Sequence, residues 1–301
     1  MALLEFGAQL PSWHWDLDVS ELRDWAQGVE AIGLEWIGTA DHVLYAYEQP
    51  DRTTGPYSGA TVQHESLMVL SYLAACTARL VLAPSILVLP QREPVLVAKQ
   101  VAELDVLSGG RVRLGVGVGW QEPEFTALGA DFRDRGARTA EAVEILRACW
   151  TQEPVNFRGR YTTIDAMSML PKPVTPGGPP IMFGGTSVPA LARAARLGDG
   201  WMLTQRAFDP NGAAPLVSEL RRHLDALGRS SASFPMQVTV PLRDDTGLMT
   251  TAFRSYRDDG FTRIGVHLPN FQRDGKLEVD EHLRQLEVIA REVWPAISSE
   301  R

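Results

Sequence analysis

The run Leu80-Val81-Leu82-Ala83-Pro84-Ser85-Ile86-Leu87 and the later run Val112-Arg113-Leu114-Gly115-Val116-Gly117-Val118 decide the fold. Both are short and almost continuously apolar, the pattern of strands covered on both faces, as in parallel sheets. Between them Val97, Val101 and Leu104 step by three and four, which lays one apolar helical face on a sheet. A buried strand, a helix and a second buried strand make a parallel pair joined by a right-handed crossover. Outward from this unit the alternation repeats. Strand-like runs occupy residues 4–9 and 34–39 before it, and 181–184, 200–203, 237–240 and 263–268 after it. Helical stripes recur at Leu22, Trp25, Val29 and Ile32, at Val143, Leu146 and Trp150, and at Leu283, Leu286, Ala290 and Val293. About eight such units close on themselves more naturally than they extend an open sheet, so the predicted fold is α/β, a (β/α)8 TIM barrel, as one domain over residues 1–301. Two stretches interrupt the pattern: residues 45–61 after strand two, rich in Gly, Pro and Tyr, and residues 151–180 before strand five, with repeated prolines. Both read as loop excursions, since neither separates two independently patterned halves.

The composition fits. Of 301 residues 45% are hydrophobic and 22% charged, enough for one large core and opposed to disorder. A net charge of −8 without a basic run argues against nucleic acid and anionic membranes, leaving a small-molecule substrate as the expected partner. Cys76 and Cys149 stand apart with no metal-ligand spacing, so neither a disulfide framework nor a zinc site is expected, and a cytoplasmic location fits. Met1 leads straight into Leu3–Leu4 with no signal-like segment, and no apolar stretch reaches the roughly 18 to 20 residues of a membrane span. Histidines 14, 64, 223, 267 and 282 show no i, i+4 pairing with carboxylates, so no metal is expected.

In a parallel barrel the chemistry gathers where strands end and loops begin. Asp41–His42 follows the second strand: a histidine there can work as an acid or base near neutral pH, with the preceding carboxylate to order it, and the plain alternative is a solvated loop histidine. Gly115, Gly117 and Gly119 alternate at the end of strand four, ahead of Trp120, and let backbone approach a flat ligand. The spacing is not that of a dinucleotide-binding turn. Gly184-Gly185-Thr186-Ser187 ends strand five, with hydroxyls at the helix N-cap and Pro189 in the first turn, so backbone N–H groups and the helix dipole define an anion site, most simply for a phosphate; a plain capped helix is the alternative.

Taken together in order and spacing, Asp41–His42, the segment from Leu104 through Gly109-Gly110-Arg111 to Trp120, the segment Pro179-Pro180-Ile181-Met182-Phe183-Gly184-Gly185 and the stretch ending Asp199-Gly200-Trp201 resemble the luciferase-like monooxygenase superfamily, closest to its actinobacterial F420-dependent branch. The resemblance implies a bound deazaflavin F420, or FMN in its place, with His42 against the ring and Asp41 beside it. It places a non-prolyl cis peptide between Ser85 and Ile86 against the ring, Gly117 and Gly119 along the ring or ribityl chain with Trp120 next to them, and the phosphate on Gly184, Gly185, Thr186 and Ser187. Two departures stand out. Where the F420-dependent sugar-phosphate dehydrogenases of the superfamily carry a glutamate after the glycine run this chain has Trp120, and where they carry a tryptophan after the histidine it has Ala46. A phosphosugar substrate is therefore not expected, and Glu122 or Glu124 reads as solvated loop surface before it reads as a replacement acid. Trp13, Trp15, Tyr45, Tyr47, Trp120 and Trp201 are the aromatic candidates for the pocket wall, two or three of them as real contacts.

The leading functional expectation is hydride transfer between F420 and a small organic substrate. The alternatives are an FMN-dependent two-component monooxygenase supplied by a reductase, and a non-catalytic flavin-binding barrel; scarce lysine disfavours a cofactor-free isomerase. A partner F420 or flavin reductase belongs to both enzymatic readings. Oligomeric state, a homodimer among the options, is left open.

Overall fold

In a computed structural model, which describes residues 4–11, 18–49, 59, 61–205, 208–209, 211–268 and 278–298, strands and helices alternate along the chain. The strands are β1 (Glu5–Gln9), β2 (Trp36–Thr39), β3 (Val81–Pro84), β4 (Leu87–Val88), β5 (Leu114–Gly117), β6 (Val155–Arg158), β7 (Thr163–Met167), β8 (Ile181–Gly184), β9 (Gly200–Thr204), β10 (Met236–Pro241) and β11 (Arg263–His267). The α-helices are α1 (Val19–Ile32), α2 (Ser66–Cys76), α3 (Pro94–Ser108), α4 (Glu122–Ala127), α5 (Arg135–Thr151), α6 (Val188–Leu197), α7 (Ala214–Ala226), α8 (Thr246–Asp259), α9 (Val279–Val288) and α10 (Trp294–Ser298).

Nine strands form one sheet in the order β3-β2-β1-β11-β10-β9-β8-β5-β4, with parallel ladders throughout. A parallel bridge between Leu82 and Val112 brings its two edges together, so the sheet wraps as a barrel. The expected run 80–87 is not one strand. It pairs with β2 up to Pro84, breaks at Ser85–Ile86, and resumes as β4 against β5. The peptide between Ser85 and Ile86 is cis. The excursion before strand five also differs from expectation: it contains the antiparallel hairpin β6–β7, which the surrounding prolines hid from a periodicity reading. Of the first excursion, residues 50–58 and 60 lie outside the described residues.

Layers fill the barrel interior. At the base, Arg113 and Arg263 converge on Glu5, with Gln237 accepting from Arg113. Burial brings the Arg113 guanidinium down to about 10, and the same two arginines outweigh the burial of Glu5 and hold its carboxyl below the usual range. Above them lies the Trp36 indole, in register with Gly7, and a Cβ on Gly7 or Gly265 would stand 2.2 or 2.5 Å from it. Ala83, Met182 and Met202, with Ile86 against them, form the next layer. Outside, the helical stripes read from sequence face the sheet: Leu22, Trp25 and Val29 of α1, Val97, Val101 and Leu104 of α3, and Val143, Leu146 and Trp150 of α5 are all buried. Burying each such aliphatic side chain contributes about 1.5–3 kcal/mol relative to leaving it in water. Ionic base and apolar middle leave space only at the strands' C-terminal ends.

Candidate active site

That end opens into a cavity of about 690 Å³. Its wall takes Gln9 from β1, Ala40, Asp41 and His42 from the segment after β2, Ser85 and Ile86 from the break after β3, Gly119 and Trp120 from the segment after β5, Gly184 to Ser187 from the end of β8, and His267 from the end of β11. The sequence-expected residues therefore meet at one mouth, with one displacement. Gly117 stands behind the wall, where a Cβ would lie 1.8 Å from Ile86 Cδ1, and Gly184 leaves room for the same side chain, with its would-be Cβ 2.8 Å from Ile86 Cγ2. Two of the glycines thus make space for Ile86, which itself lines the cavity.

Asp41 and His42 are adjacent in sequence but have separate partners. The Asp41 carboxylate accepts from the Val88 N–H at 2.8 Å and from Arg92 Nη2 at 2.7 Å, and Arg92 also pairs with Glu65. Burial pushes the Asp41 carboxyl up, against the pull of Arg92 and the Val88 N–H. The expectation that Asp41 orders His42 is corrected: Asp41 ties the second barrel position to β4, and His42 is ordered by Glu124. His42 Nδ1 lies 2.8 Å from Glu124 Oε2, while Glu124 Oε1 accepts from the N–H groups of Val43 at 2.6 Å and Leu44 at 3.1 Å. Glu124 is buried, 2% exposed, so its reading as solvated loop surface is overturned, whereas Glu122 is exposed. Burial acts to raise the Glu124 carboxyl, but hydrogen bonding and charge from His42, with the backbone donors, hold it below the usual carboxylate range. An ionised acceptor at Nδ1 keeps the proton on that nitrogen, so proton exchange with a bound group runs through Nε2. Gln121 completes the clamp, donating to the Leu44 carbonyl at 2.6 Å and accepting from the Ala46 N–H.

The aromatic candidates divide. Trp120 lines the cavity and meets the His42 ring edge-on at 5.5 Å; Tyr45 lies 4.9 Å from His42. Tyr47 is exposed. Trp201 is fully buried and donates its indole N–H to the Gly185 carbonyl at 2.9 Å, fixing the anion-site turn from behind. Trp13 and Trp15 lie outside the described residues.

At the opposite side of the mouth the turn after β8 is built from backbone. Gly185 has φ +113°, a conformation open to glycine, and Ser187 is the N-cap of α6 with Pro189 in the first turn. Among the described residues the N–H groups of Thr186 and Ser187 donate to nothing and the cavity wall includes no lysine or arginine. An anion here would be held by amide dipoles and the helix N-terminus.

Sequence reasoning passed over Gln9 and His267 as pocket residues, and offered Glu124 only as a replacement acid, second to solvated loop surface. Gln9 is buried and its Oε1 accepts no hydrogen bond among the described residues, so the cavity offers an acceptor to a ring N–H or a hydroxyl. His267 lies 2.8 Å from the Gln205 carbonyl and 3.0 Å from that of Leu268, and burial holds it below the ordinary histidine range. Gln9 and His267 end strands and were legible by that rule; Glu124 carried no comparable signal. A cavity of this volume with a buried acceptor, Gln9 Oε1, in its wall and amide donors at the turn after β8 fits a flavin or deazaflavin, which joins a ring bearing N–H donors to a phosphate.

The chain belongs to the luciferase-like monooxygenase family, whose model matches residues 5–288. It is an oxidoreductase of that family. Relatives include an uncharacterized protein of Mycobacterium tuberculosis, 31% identical over 89% of this chain and 92% of the other. The F420-dependent glucose-6-phosphate dehydrogenase of Kineococcus radiotolerans is 31% identical over 75% of this chain and 64% of its own length. The FMNH2-dependent dimethylsulfone monooxygenase of Pseudomonas fluorescens is 37% identical over 63% of this chain and 48% of its own. Among solved structures, the F420-dependent tetrahydromethanopterin reductase of Methanopyrus kandleri superposes with a TM-score of 0.78 at 16% identity, covering 98% and 100% of the two chains. A monooxygenase from Streptomyces bottropensis gives 0.77 at 20%, covering 97% and 99%. Both share the fold. Among the described residues no helix is long and apolar enough to cross a membrane.

Proposed function

We propose that this enzyme uses coenzyme F420 to move a hydride to or from a small, uncharged organic substrate. The observation that carries the reading is the convergence of His42 on Glu124, the Ser85–Ile86 break and the Gly185–Ser187 amides on one cavity. When bound, the deazaflavin ring supplies the hydride chemistry. Gly185 to Ser187 hold its phosphate, the Gln9 amide oxygen accepts from a ring N–H or a substrate hydroxyl, and Ile86 supports one face. His42, with Nδ1 committed to Glu124, gives or takes the substrate proton at Nε2 as charge develops. Trp120 stands where an acid would serve a phosphosugar, and with no lysine or arginine in the wall among the described residues the substrate is proposed to be apolar rather than phosphorylated. A cytoplasmic F420 reductase would renew the reduced cofactor.

The similarity to an FMNH2-dependent monooxygenase supports a second reading, in which FMN replaces F420 and a flavin reductase supplies it reduced. Titrating the purified chain with F420 and with FMN, followed by turnover of the reduced form of each with and without oxygen, tests the choice. Tight F420 binding with oxygen-independent oxidation of reduced F420 by a ketone or alkene supports the first reading. Selective FMN binding with oxygen-dependent turnover overturns it in favour of the second.

A further inference from the structure

Arg92 lies outside the wall of the mouth cavity, yet the segment that delivers His42 depends on it. It stands between β4 and α3 and forks between two carboxylates, with Nη2 2.7 Å from Asp41 Oδ1 and Nη1 2.9 Å from Glu65 Oε1. Each carboxylate has a second task. Asp41 Oδ2 accepts from the Val88 N–H of β4, and Glu65 Oε2 accepts from the Met68 N–H at 2.7 Å as the N-cap of α2. One guanidinium therefore joins the exit of β2, the start of β4 and the start of α2. The two acids do not depend on it equally. The Glu65 side chain is 39% exposed and can turn to water, whereas that of Asp41 is 1% exposed and cannot. A carboxylate buried this deeply keeps its charge only beside a cation or several donors. Burial and the charge of Glu65 push the Asp41 carboxyl up while Arg92 and the Val88 N–H pull it down, so removing Arg92 leaves the upward pushes with little opposition.

His42 is next in the chain, and its neighbours are pinned from different directions: Asp41 by β4 and Arg92, Val43 and Leu44 through their N–H groups by Glu124 of α4. The Nδ1 contact with Glu124 orients the imidazole ring, but the backbone from which the ring projects is set by the residue before it. We propose that Arg92 is a positioning residue for His42: by pairing with Asp41 it holds the exit of β2 in place, and its loss turns Asp41 from an anchor into a proton-sensitive fault in the cavity wall. A protonated Asp41 can still accept from the Val88 N–H and stay buried. An ionised Asp41 without Arg92 is left with the carboxylates of Glu65 and Glu124 on the same side of the mouth, and with His42 committed to Glu124; it turns out to water and carries the backbone of His42 with it. The inference rests on the reading of the cavity as an active site with His42 in the chemistry, and extends it to a residue behind the wall.

The test compares the wild type, Arg92→Leu, Arg92→Lys and the double variant Arg92→Leu/Asp41→Asn between about pH 5 and about pH 8, by thermal melting without cofactor and by single-turnover rate with saturating reduced F420, or FMN where titration selects it. The sign follows from Asp41: a folded carboxyl that holds its proton more tightly than the unfolded chain does contributes stability in acid that is lost as pH rises through the folded value. In Arg92→Leu the Tm deficit against wild type should therefore be smallest near about pH 5 and widen toward about pH 8. Its rate relative to wild type should fall about tenfold or more over the same interval, with cofactor Kd within a few-fold. Adding Asp41→Asn removes the charge, so the double variant should lose the pH dependence in both readouts. Arg92→Lys keeps a cation but not the fork, and should show a smaller loss that does not vary with pH. A deficit in Arg92→Leu equal at every pH, the same pH dependence in the double variant, or a wild-type rate in Arg92→Leu at about pH 8 would each overturn the proposal. Should Arg92→Leu fail to fold near neutral pH, the double variant decides: a folded, pH-independent protein supports the proposal, and failure of both overturns it. The melting arm contains no cofactor, so a pH-dependent deficit there together with no binding of F420 or FMN would fault the reading of the cavity and not the dependence of Asp41 on Arg92.

Discussion

The two sides of the barrel mouth are built from different materials. On the β2 side, Asp41, Glu65 and Arg92 form buried or half-buried ion pairs and His42 hydrogen-bonds Glu124, all through side chains that reach across to other elements. On the β8 side, Gly184 to Ser187 present amide groups, and side chains serve only to hold the turn, as Trp201 does. A side chain with a titratable proton can change charge during a reaction; an amide N–H cannot. The first side is therefore suited to turnover and the second to retention of a ligand, and substitutions should separate them.

The largest effect is expected at Asp41. Asp41→Ala strips a buried carboxylate from Arg92 and from the Val88 N–H, and breaking a buried pair by removing one partner costs about 3–5 kcal/mol. Urea unfolding should show a loss near the lower end, since Arg92 keeps Glu65. A loss under about 1 kcal/mol would place this pair with the weak surface bridges.

Glu124→Gln comes next, at roughly 1.5–3 kcal/mol for hydrogen bonds to a charged group. The folded Glu124 pKa lies below its unfolded value, so its contribution is present above the unfolded value of about 4.3 and is lost as pH falls through the folded one. The stability gap between wild type and Glu124→Gln should thus be widest above about pH 5 and close in acid. A gap independent of pH would mean that Glu124 acts by packing alone.

A smaller effect, about 1–2 kcal/mol of overpacking, is expected for Gly117→Ala, because its Cβ would stand 1.8 Å from Ile86 Cδ1. Trimming the partner in Gly117→Ala/Ile86→Ala should recover part of it. No recovery would mean that Gly117 serves something other than room for Ile86.

How much of this was legible in the chain follows the range of each interaction. The barrel showed because each strand and helix writes its own period into consecutive residues: Val97, Val101 and Leu104 need only a face to pack on. The split at Ser85–Ile86 was placed by resemblance, and the β6–β7 hairpin was missed, because four- and five-residue strands among prolines carry too few positions for a period. His42 was legible from its place after a strand. Its partner was not: Asp41 is next in sequence, but consecutive residues leaving a strand point apart, and Glu124 arrives from 82 residues away on a short helix. Gly117 misled for a related reason, since the ligand it accommodates is the chain's own Ile86.

The division of the mouth is tested most directly by measuring cofactor Kd and the single-turnover rate at saturation for His42→Ala and Gly185→Ala side by side. His42→Ala should slow the reaction by on the order of 10² to 10³ with Kd within a few-fold of wild type, as expected when a group acts mainly as charge develops. Gly185→Ala puts a Cβ 2.9 Å from that of Ala190 at a φ that side chains rarely adopt, and at about 1–3 kcal/mol of strain it should weaken binding roughly tenfold or more while sparing the rate once saturated. Both variants shifting Kd and rate by the same factors would contradict the division, and a wild-type rate in His42→Ala would remove His42 from the chemistry.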